Sequence, residues 1–464
     1  MSSPRVQATT ADAYQLIHEG ILALARAELH GIMIDVDYCS QMKRRLTRRM
    51  GYLESKFQES RFYRRWRHIY GKRTNIHSNH QLAHILYDVM KLPPVRVTES
   101  GAGSTNEAAL TQLLENYPEV SELRLLLRLR RLGKLRDTYI DAFLREQHDG
   151  MIHPSFELHT VRTYRSSSTG PNFQNIPKRD KEAMKICRRA IIPSPGRQLV
   201  ELDFASIEVR ISACYNQDPV LIHYLESEDA DMHGDTARQI FLLDELDRSK
   251  PAHNTLRSAA KNGFVFPQFY GDYYKNNAVL LANWVKLPHT RWRERIGIQL
   301  PDGTFISDHL RRHGIRSFHD FTEHLRGIED DFWNRRFRVY NEWRRRWVDS
   351  YRRRGWLRML TGFVCSGVMA RNEIVSYPIQ GSAFHCLLLT FIQLDKYIQD
   401  HKLRSRLVGQ IHDSVVIDAV PEELDQLSET AHYIVSEYLP KIWNWIIVPL
   451  EIDLDIYGVD RPWL

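Results

Sequence analysis

An α+β fold is predicted from three features of the chain. Apolar residues recur at helical spacing over most of its length. A few short apolar runs, at Gln198–Asp203, Leu407–Ile411, Val415–Ile417 and Val448–Ile456, have the character of strands. No internal repeat organises the two kinds of element into a regular alternation. At 464 residues the chain has room for roughly three domain-sized units.

The first elements are helical. Ile17, Ile21, Leu22, Leu24 and Ala25 recur at helical spacing between Tyr14 and Arg26, and Gly31–Asp35 reads as a short β-like piece. A strongly basic stretch runs on to about Lys72. The helical pattern of Gln81–Met90 stops at Leu92-Pro-Pro, Ser100–Thr105 is a loop, and Ser121–Leu144 reads as a long helix with leucines on one side and cations on the other. A polar loop, Thr163–Pro177, separates this region from the strand Gln198–Asp203. Residues 207–360 are mostly helical, with a break at Gln299–Thr304. Ser382–Ile398 is a long apolar helix, and the two runs after Leu407 flank a polar turn, the signature of a hairpin.

Composition narrows the class without naming a function. Hydrophobic residues at 43% are enough to build cores and exclude a disordered chain. A net charge of +7 suits a polyanionic partner, though solubility alone also accounts for it. The five cysteines are scattered and form no C-x-x-C pair, so neither a disulfide framework nor a zinc site is expected. With no signal-like N-terminus and no apolar run of membrane-spanning length, a cytoplasmic protein without a membrane span is expected.

Chemistry begins with two aspartates. Asp203, in ELDFASIEVR, and Asp413, in GQIHDSVVID, each stand where an apolar strand gives way to a polar turn. A lone aspartate in such a place is more often a turn residue. Two such strands side by side would bring both carboxylates to one sheet edge, where their repulsion needs a positive charge between them. Magnesium, which takes one or two carboxylates together with substrate phosphates and water, would supply it. A second group, Arg257 and Lys261, lies at i and i+4 on one helix face; on spacing alone this is as well an ordinary solvated face. The third is the loop Thr160–Pro177, whose hydroxyl and amide side chains suit phosphate and minor-groove contacts. Arg61–Arg67 and Arg335–Arg354, the latter with Trp343 and Trp347, interleave cations and aromatics. Such runs are either partly buried surface helices or nucleic-acid contacts.

These residues together resemble the family A (DNA polymerase I-like) DNA polymerases. Asp203-Phe-Ala-Ser-Ile-Glu-Val-Arg210 resembles motif A, D-Y/F-S-x-I-E-L-R, and Gln410-Ile-His-Asp-Ser414 resembles motif C, V-H-D-E, with Ser414 where a glutamate is usual. Arg257 to Gly271 resembles motif B, R-x3-K-x3-F/Y-x3-Y-G, with one residue more between Lys261 and Tyr270. Counting back from Tyr270 puts Phe266 at the sugar-facing aromatic position, the preferred register; counting forward from Lys261 puts Val265 there. The loop through Pro177 resembles T-G-R-L/F-S/A-S-x-x-P-N-L-Q-N-I-P, and Tyr377–Cys386 resembles x-P-x-Q-G-T-A-A-D. Leu22–Asp35, Asn75–Leu86 and Leu132–Tyr139 resemble segments of the family's thumb, so similarity runs from about residue 20 to the end. Residues 286–330 exceed what the family requires and carry no assignable role.

The resemblance implies a right hand: an extension at 1–19, a thumb at 20–145, a palm with an antiparallel sheet at 146–215 and 362–464, and helical fingers at 216–361. It implies a primer-extending DNA polymerase with two Mg²⁺ ions, for which Mn²⁺ can substitute, held by Asp203, Asp413 and the Phe204 carbonyl. Glu208 becomes the gate against a ribose 2′-hydroxyl. His233, Arg257 and Lys261 face the triphosphate, with Phe266 and Tyr270 beside the nucleotide. Arg165, Asn172, Gln174, Asn175, Gln380 and His412 face primer–template DNA, while Ser376 replaces an asparagine of the family pattern. The expected partners are primer–template and dNTPs, the expected state a monomer. No proofreading exonuclease is expected in this chain; a separate exonuclease or a processivity factor is left open. Compact size points to a phage or similar replicon, hence a bacterial host cytoplasm. A single-subunit RNA polymerase is the rival enzyme, against which Glu208 argues. A catalytically silent DNA-binding protein is the rival outside enzymes, against which both aspartates argue.

Overall fold

The computed structural model describes residues 8–98, 101–177, 180–227 and 229–464; Ser100, at the head of an expected loop, lies outside them. The architecture is α+β, as expected: many helices and, among the described residues, four small antiparallel sheets. The largest sheet has four strands, β1 (Gln198–Phe204), β2 (Arg406–Ile411), β3 (Ser414–Ala419) and β4 (Ile452–Ile456), in the order β4-β1-β3-β2. β1 lies inside the sheet and is buried along almost all its length, which is why it reads as a nearly continuous apolar run. β4 is an edge strand and shorter than the alternation of Val448–Ile456 predicts, because Val448–Glu451 form no ladder.

Behind the sheet runs one helix, Arg371–Asp400. It begins eleven residues earlier than the expected Ser382, since Pro378 reads as a break. The proline is nonetheless accommodated inside the helix, where its carbonyl accepts a hydrogen bond from Tyr215 Oη at 3.2 Å. This helix is long and apolar enough to cross a membrane, contrary to expectation, but 83% of its apolar window is buried inside the protein. It is the central core helix. The helix Thr10–His30 packs along it at Gly20, where Leu388 leaves no room for a β-carbon. Arg26 pairs with the buried Asp395 at 2.6 Å, and His30 Nδ1 lies 3.0 Å from the Leu407 carbonyl on β2. The first helix is thereby tied to the sheet.

A second, smaller core gathers Phe57, Phe62, Trp66, Leu82, Leu110 and Leu123, so the stretch between Phe57 and Leu126 has an interior of its own. Here the basic stretch resolves into helices Val36–Gln58 and Arg61–Tyr70. Phe62 and Trp66 point inward and Arg61, Arg64, Arg65 and Arg67 outward. Trp343 and Trp347 behave likewise. They stack on each other at 5.5 Å and against Tyr215, and Trp347 Nε1 donates to the Ile374 carbonyl, so base stacking is not available to them.

Residues 286–330 form a compact unit around helices Ile306–Arg312 and Phe318–Asp331. His309 Nε2 lies 3.0 Å from the carbonyls of Phe241 and Leu242, and His324 Nε2 lies 3.2 Å from those of Gln239 and Ile240. These are the orphan carbonyls at the end of helix Met232–Phe241, and capping them is a structural task for this segment. All five cysteines are buried.

Trp463 locks the far side of the sheet. It is fully buried, stacks with Phe173 at 5.8 Å, lies under the Arg188 guanidinium at 4.1 Å and donates from Nε1 to Glu201 at 3.1 Å. Trp463→Ala should therefore lower stability by about 3–5 kcal/mol, the usual cost of emptying a buried aromatic site. Denaturant unfolding measures it, and a loss below about 1 kcal/mol would show that the site collapses without cost.

Candidate active site

The register of three strands assembles the acidic end of the sheet. Asp203 on β1 faces Ser414 on β3 and Asp453 on β4. β2 and β3 are joined by a two-residue turn, His412-Asp413, that closes the pair Ile411 with Ser414. His412 takes a left-handed conformation, φ 51°, as such turns require. The Phe204 N–H donates to the Asp413 carbonyl at 3.2 Å, which pins the turn against the end of β1. Asp203 and Asp413 thus stand on neighbouring strands at one edge, both partly exposed.

Two side chains tie this edge to the helices. Arg165 lies between carboxylates, Nη1 3.4 Å from Glu208 and Nη2 3.5 Å from Asp413. Glu208, in the first turn of helix Ile207–Asn216, accepts a short hydrogen bond from the Tyr270 hydroxyl. Burial holds the Glu208 carboxyl above its ordinary range, opposed by the Tyr270 bond and the Arg165 charge. Burial likewise pushes the Tyr270 hydroxyl well above its own, with the Glu208 charge adding to the shift.

Tyr270 closes the segment that carries the cations. Helix Pro251–Ala260 passes into a π-helical turn, Lys261–Val265, and then into Phe266–Phe269. The π-helical turn precedes Pro267, and Val265 is fully buried in the core. Phe266 lines a pocket with Glu208, Tyr270, Tyr340 and Ile379, and the Lys261 ammonium lies 5.3 Å from its ring centre. His233 meets the same ring edge-on at 5.6 Å. Burial, with Lys261 and Arg257 adding, lowers the His233 pKa to about 4, so its imidazole is neutral at pH 7. Arg257 is held by Asp231, Nε at 2.6 Å and Nη2 at 2.9 Å. Asp231 also caps helix Met232–Phe241 and, although partly buried, stays below its ordinary pKa through Arg257.

The loop before β1 reaches the same edge. Gln174 Nε2 donates to Ser166 Oγ at 2.7 Å and, more tightly, to Gln410 Oε1, while Ser166 Oγ donates to Gln410 Oε1 at 2.7 Å. Gln410 Nε2 in turn donates to the His412 carbonyl. Asn172 turns its Oδ1 toward the Asn175 N–H at 3.1 Å, organising the loop, and both residues are exposed. Gln380 is half-buried on the long helix beside Gly381, where a β-carbon would meet the Thr163 carbonyl at 2.5 Å. Of the residues the resemblance assigns to metal, nucleotide or DNA, all but Gln380 lie in this run of contacts or on the loop at its edge. Sequence reading missed Asp231, Ser166, Gln410 and the Ser414 contact with Asp203. Asp231, two residues before His233, was within reach; the others depend on pairing between distant segments.

A metal is implied by the two carboxylates, and the donors suit a hard cation. Among the described residues no three His, Cys, Asp or Glu side chains group into a self-sufficient cage. Mg²⁺ does not need one, since it is commonly held by one or two carboxylates with substrate phosphates and water. Asp203 and Asp413, with the Phe204 carbonyl, are the groups that would hold such an ion.

The model of DNA polymerase family A matches residues 36–289. DNA polymerase I of Chloroflexus aurantiacus is 27% identical over 444 residues, which cover 94% of this chain and 42% of that protein. The thermostable DNA polymerase I of Thermus aquaticus is 28% identical over 449 residues, 95% of this chain and 47% of that one. The chain thus spans less than half the length of these relatives. The POL domain of Pol1 from M. smegmatis, solved with DNA primer-template and dNTP, superposes with a TM-score of 0.73 at 25% identity over 96% of this chain and 69% of that one. This chain belongs to DNA polymerase family A.

Proposed function

We propose that the chain is a template-directed DNA polymerase that extends a primer 3′-hydroxyl with dNTPs. The observation that carries the reading is the run of contacts from Asp413 through Arg165, Glu208 and Tyr270 to the helix bearing Lys261. It places an acidic edge, a closed aromatic pocket and a cationic helix side by side, the three surfaces a primer end, a nucleoside and a triphosphate need. The Pol1 complex with primer-template and dNTP supports the same partners. We assign the thumb to 20–145, the palm to 146–215 and 362–464, and the fingers to 216–361.

Each of the chain's own residues then has a physical task. Lys261 and the guanidinium of Arg257, already oriented by Asp231, offer fixed positive charge to the triphosphate, where preorganised charge acts without reorganisation. His233, neutral before binding, gains a proton-holding partner when phosphate charge arrives, so nucleotide binding raises its pKa. Phe266 packs against the sugar, and Glu208 fills the space a 2′-hydroxyl would take. Tyr270 holds Glu208 in the nucleotide's place until the incoming nucleoside displaces the bond. Arg165, Gln174 and His412, joined through Ser166 and Gln410, hold the primer end by its backbone and minor groove. Two divalent ions at Asp203 and Asp413, when bound, would lower the pKa of the attacking hydroxyl and stabilise the departing pyrophosphate. The exposed cations of helix Arg61–Tyr70 extend the phosphate-binding track along the thumb.

Asp203→Asn and Asp413→Asn should each lower single-nucleotide incorporation by about a hundredfold or more, beyond the usual cost of losing an outer partner of a metal. Duplex affinity, read by fluorescence anisotropy, should stay close to that of the parent. Near-parental incorporation by either variant would refute the reading.

Glu208→Ala should raise the ratio of rNTP to dNTP efficiency by about tenfold or more, since removing a steric barrier admits the larger sugar. An unchanged ratio makes Glu208 a structural residue only. Phe266→Tyr should raise dideoxynucleotide use relative to dNTP, because the added hydroxyl can stand in for the missing 3′-oxygen. Val265→Tyr should mainly disturb the core. Chain termination at fixed dideoxy-to-deoxy ratios separates the two, and a permissive Val265→Tyr would shift the register by one residue.

A further inference from the structure

Next to Asp203 lies a second carboxylate for which the proposed chemistry has no use. Glu201 is two residues earlier on β1, on the same face of the sheet, and only 3% exposed. It is held firmly. Arg188 donates to its two oxygens at 2.7 and 3.2 Å, Trp463 Nε1 donates at 3.1 Å, and the Tyr457 hydroxyl lies at 3.4 Å. The Arg188 guanidinium is itself stacked on the Trp463 ring at 4.1 Å, so the whole group is fixed by packing.

Between the two carboxylates stands Ser414, with no exposed surface. Its Oγ is 2.8 Å from Asp203 Oδ1 and 3.0 Å from Glu201 Oε1. A hydroxyl carries one proton, so it can satisfy only one of two carboxylate oxygens. The other then faces an oxygen lone pair at hydrogen-bonding distance, an arrangement whose balance calls for a further positive charge. Glu201 has Arg188 for that purpose, so the proton goes to Asp203. Ser414 is also the point at which this chain departs from motif C, with the acidic side chain on the neighbouring strand instead.

We propose that Ser414, anchored by Glu201 and Arg188, is a positioning residue that fixes the Asp203 carboxylate for its divalent cation. Its proton is directed at Asp203 and stays there when the cation binds, since Glu201 is already supplied by Arg188, Trp463 and Tyr457. The proposal rests on the reading of Asp203 as a metal ligand. A ligand oriented by an outer hydrogen-bond partner loses affinity for its metal when that partner is removed, typically 10–100-fold.

The test is Mn²⁺ binding to the purified chain without DNA or nucleotide, followed by electron paramagnetic resonance, so that the readout is not activity. Ser414→Thr and Ser414→Val have the same shape and differ in the hydroxyl. Thr should bind Mn²⁺ close to the parent, and Val should raise Kd by about tenfold. Ser414→Ala, which adds no atom, should match Val. Melting by circular dichroism verifies that each variant is folded. Equal affinities for Thr and Val, or parental affinity in Ser414→Ala, would overturn the proposal. Asp203→Asn keeps the two questions apart. If it alone loses Mn²⁺, only the role of Ser414 fails; if it too binds like the parent, the metal reading fails with it.

Discussion

The organisation of this protein depends on two carboxylates confined to one end of a small antiparallel sheet. The pairing of β1 with β3 sets Asp203 opposite Ser414, and the tight turn before Ser414 leaves Asp413 no place but the same edge. Like charges so placed repel, and a fold tolerates them only if other elements hold the strands in register. Those elements are visible. The long helix Arg371–Asp400 lies behind the sheet, and Thr10–His30 is clamped to both by Arg26, Gly20 and His30. Trp463 and Arg188 close the far side around Glu201. Packing energy gathered throughout the core is thereby used to keep an unfavourable pair of charges in place.

Around that edge the positive groups are graded by how firmly they are held. Arg165 bridges Glu208 and Asp413 directly, Arg257 is bound to Asp231, and Lys261 lies over the edge of the Phe266 ring. His233 is neutral in the free protein because burial and its cationic neighbours disfavour a further charge. On the proposed reading, an incoming polyphosphate would reverse that balance, and a nucleoside would compete with the Tyr270–Glu208 bond for the pocket.

Much of this was legible in the sequence. The strand ends at Asp203 and Asp413, the hairpin and the cationic helix are local patterns, and local patterns follow from spacing and turn chemistry. Three things were not legible, each for a physical reason. The helix start at Arg371 was hidden by Pro378, whose lost hydrogen bond is tolerated because the segment is enclosed by the core. The π-helical turn Lys261–Val265 in the cationic segment was hidden too, since such a turn leaves no mark in composition. The Ser414–Glu201 contact and the Gln174–Ser166–Gln410 network depend on pairing between segments far apart in the chain. The Arg/Trp run at Arg335–Arg354 shows the converse, a pattern suggestive of stacking on bases whose tryptophans are spent on the core.

The central claim is that this edge joins a nucleotide to a primer end under the direction of a template. It is tested most directly by presenting the chain with a labelled primer on four templates that differ only in the first unpaired base, with Mg²⁺ and one dNTP at a time. The account predicts growth by one nucleotide only where the dNTP complements that base. No growth on any template, or growth that ignores the template base, would contradict it.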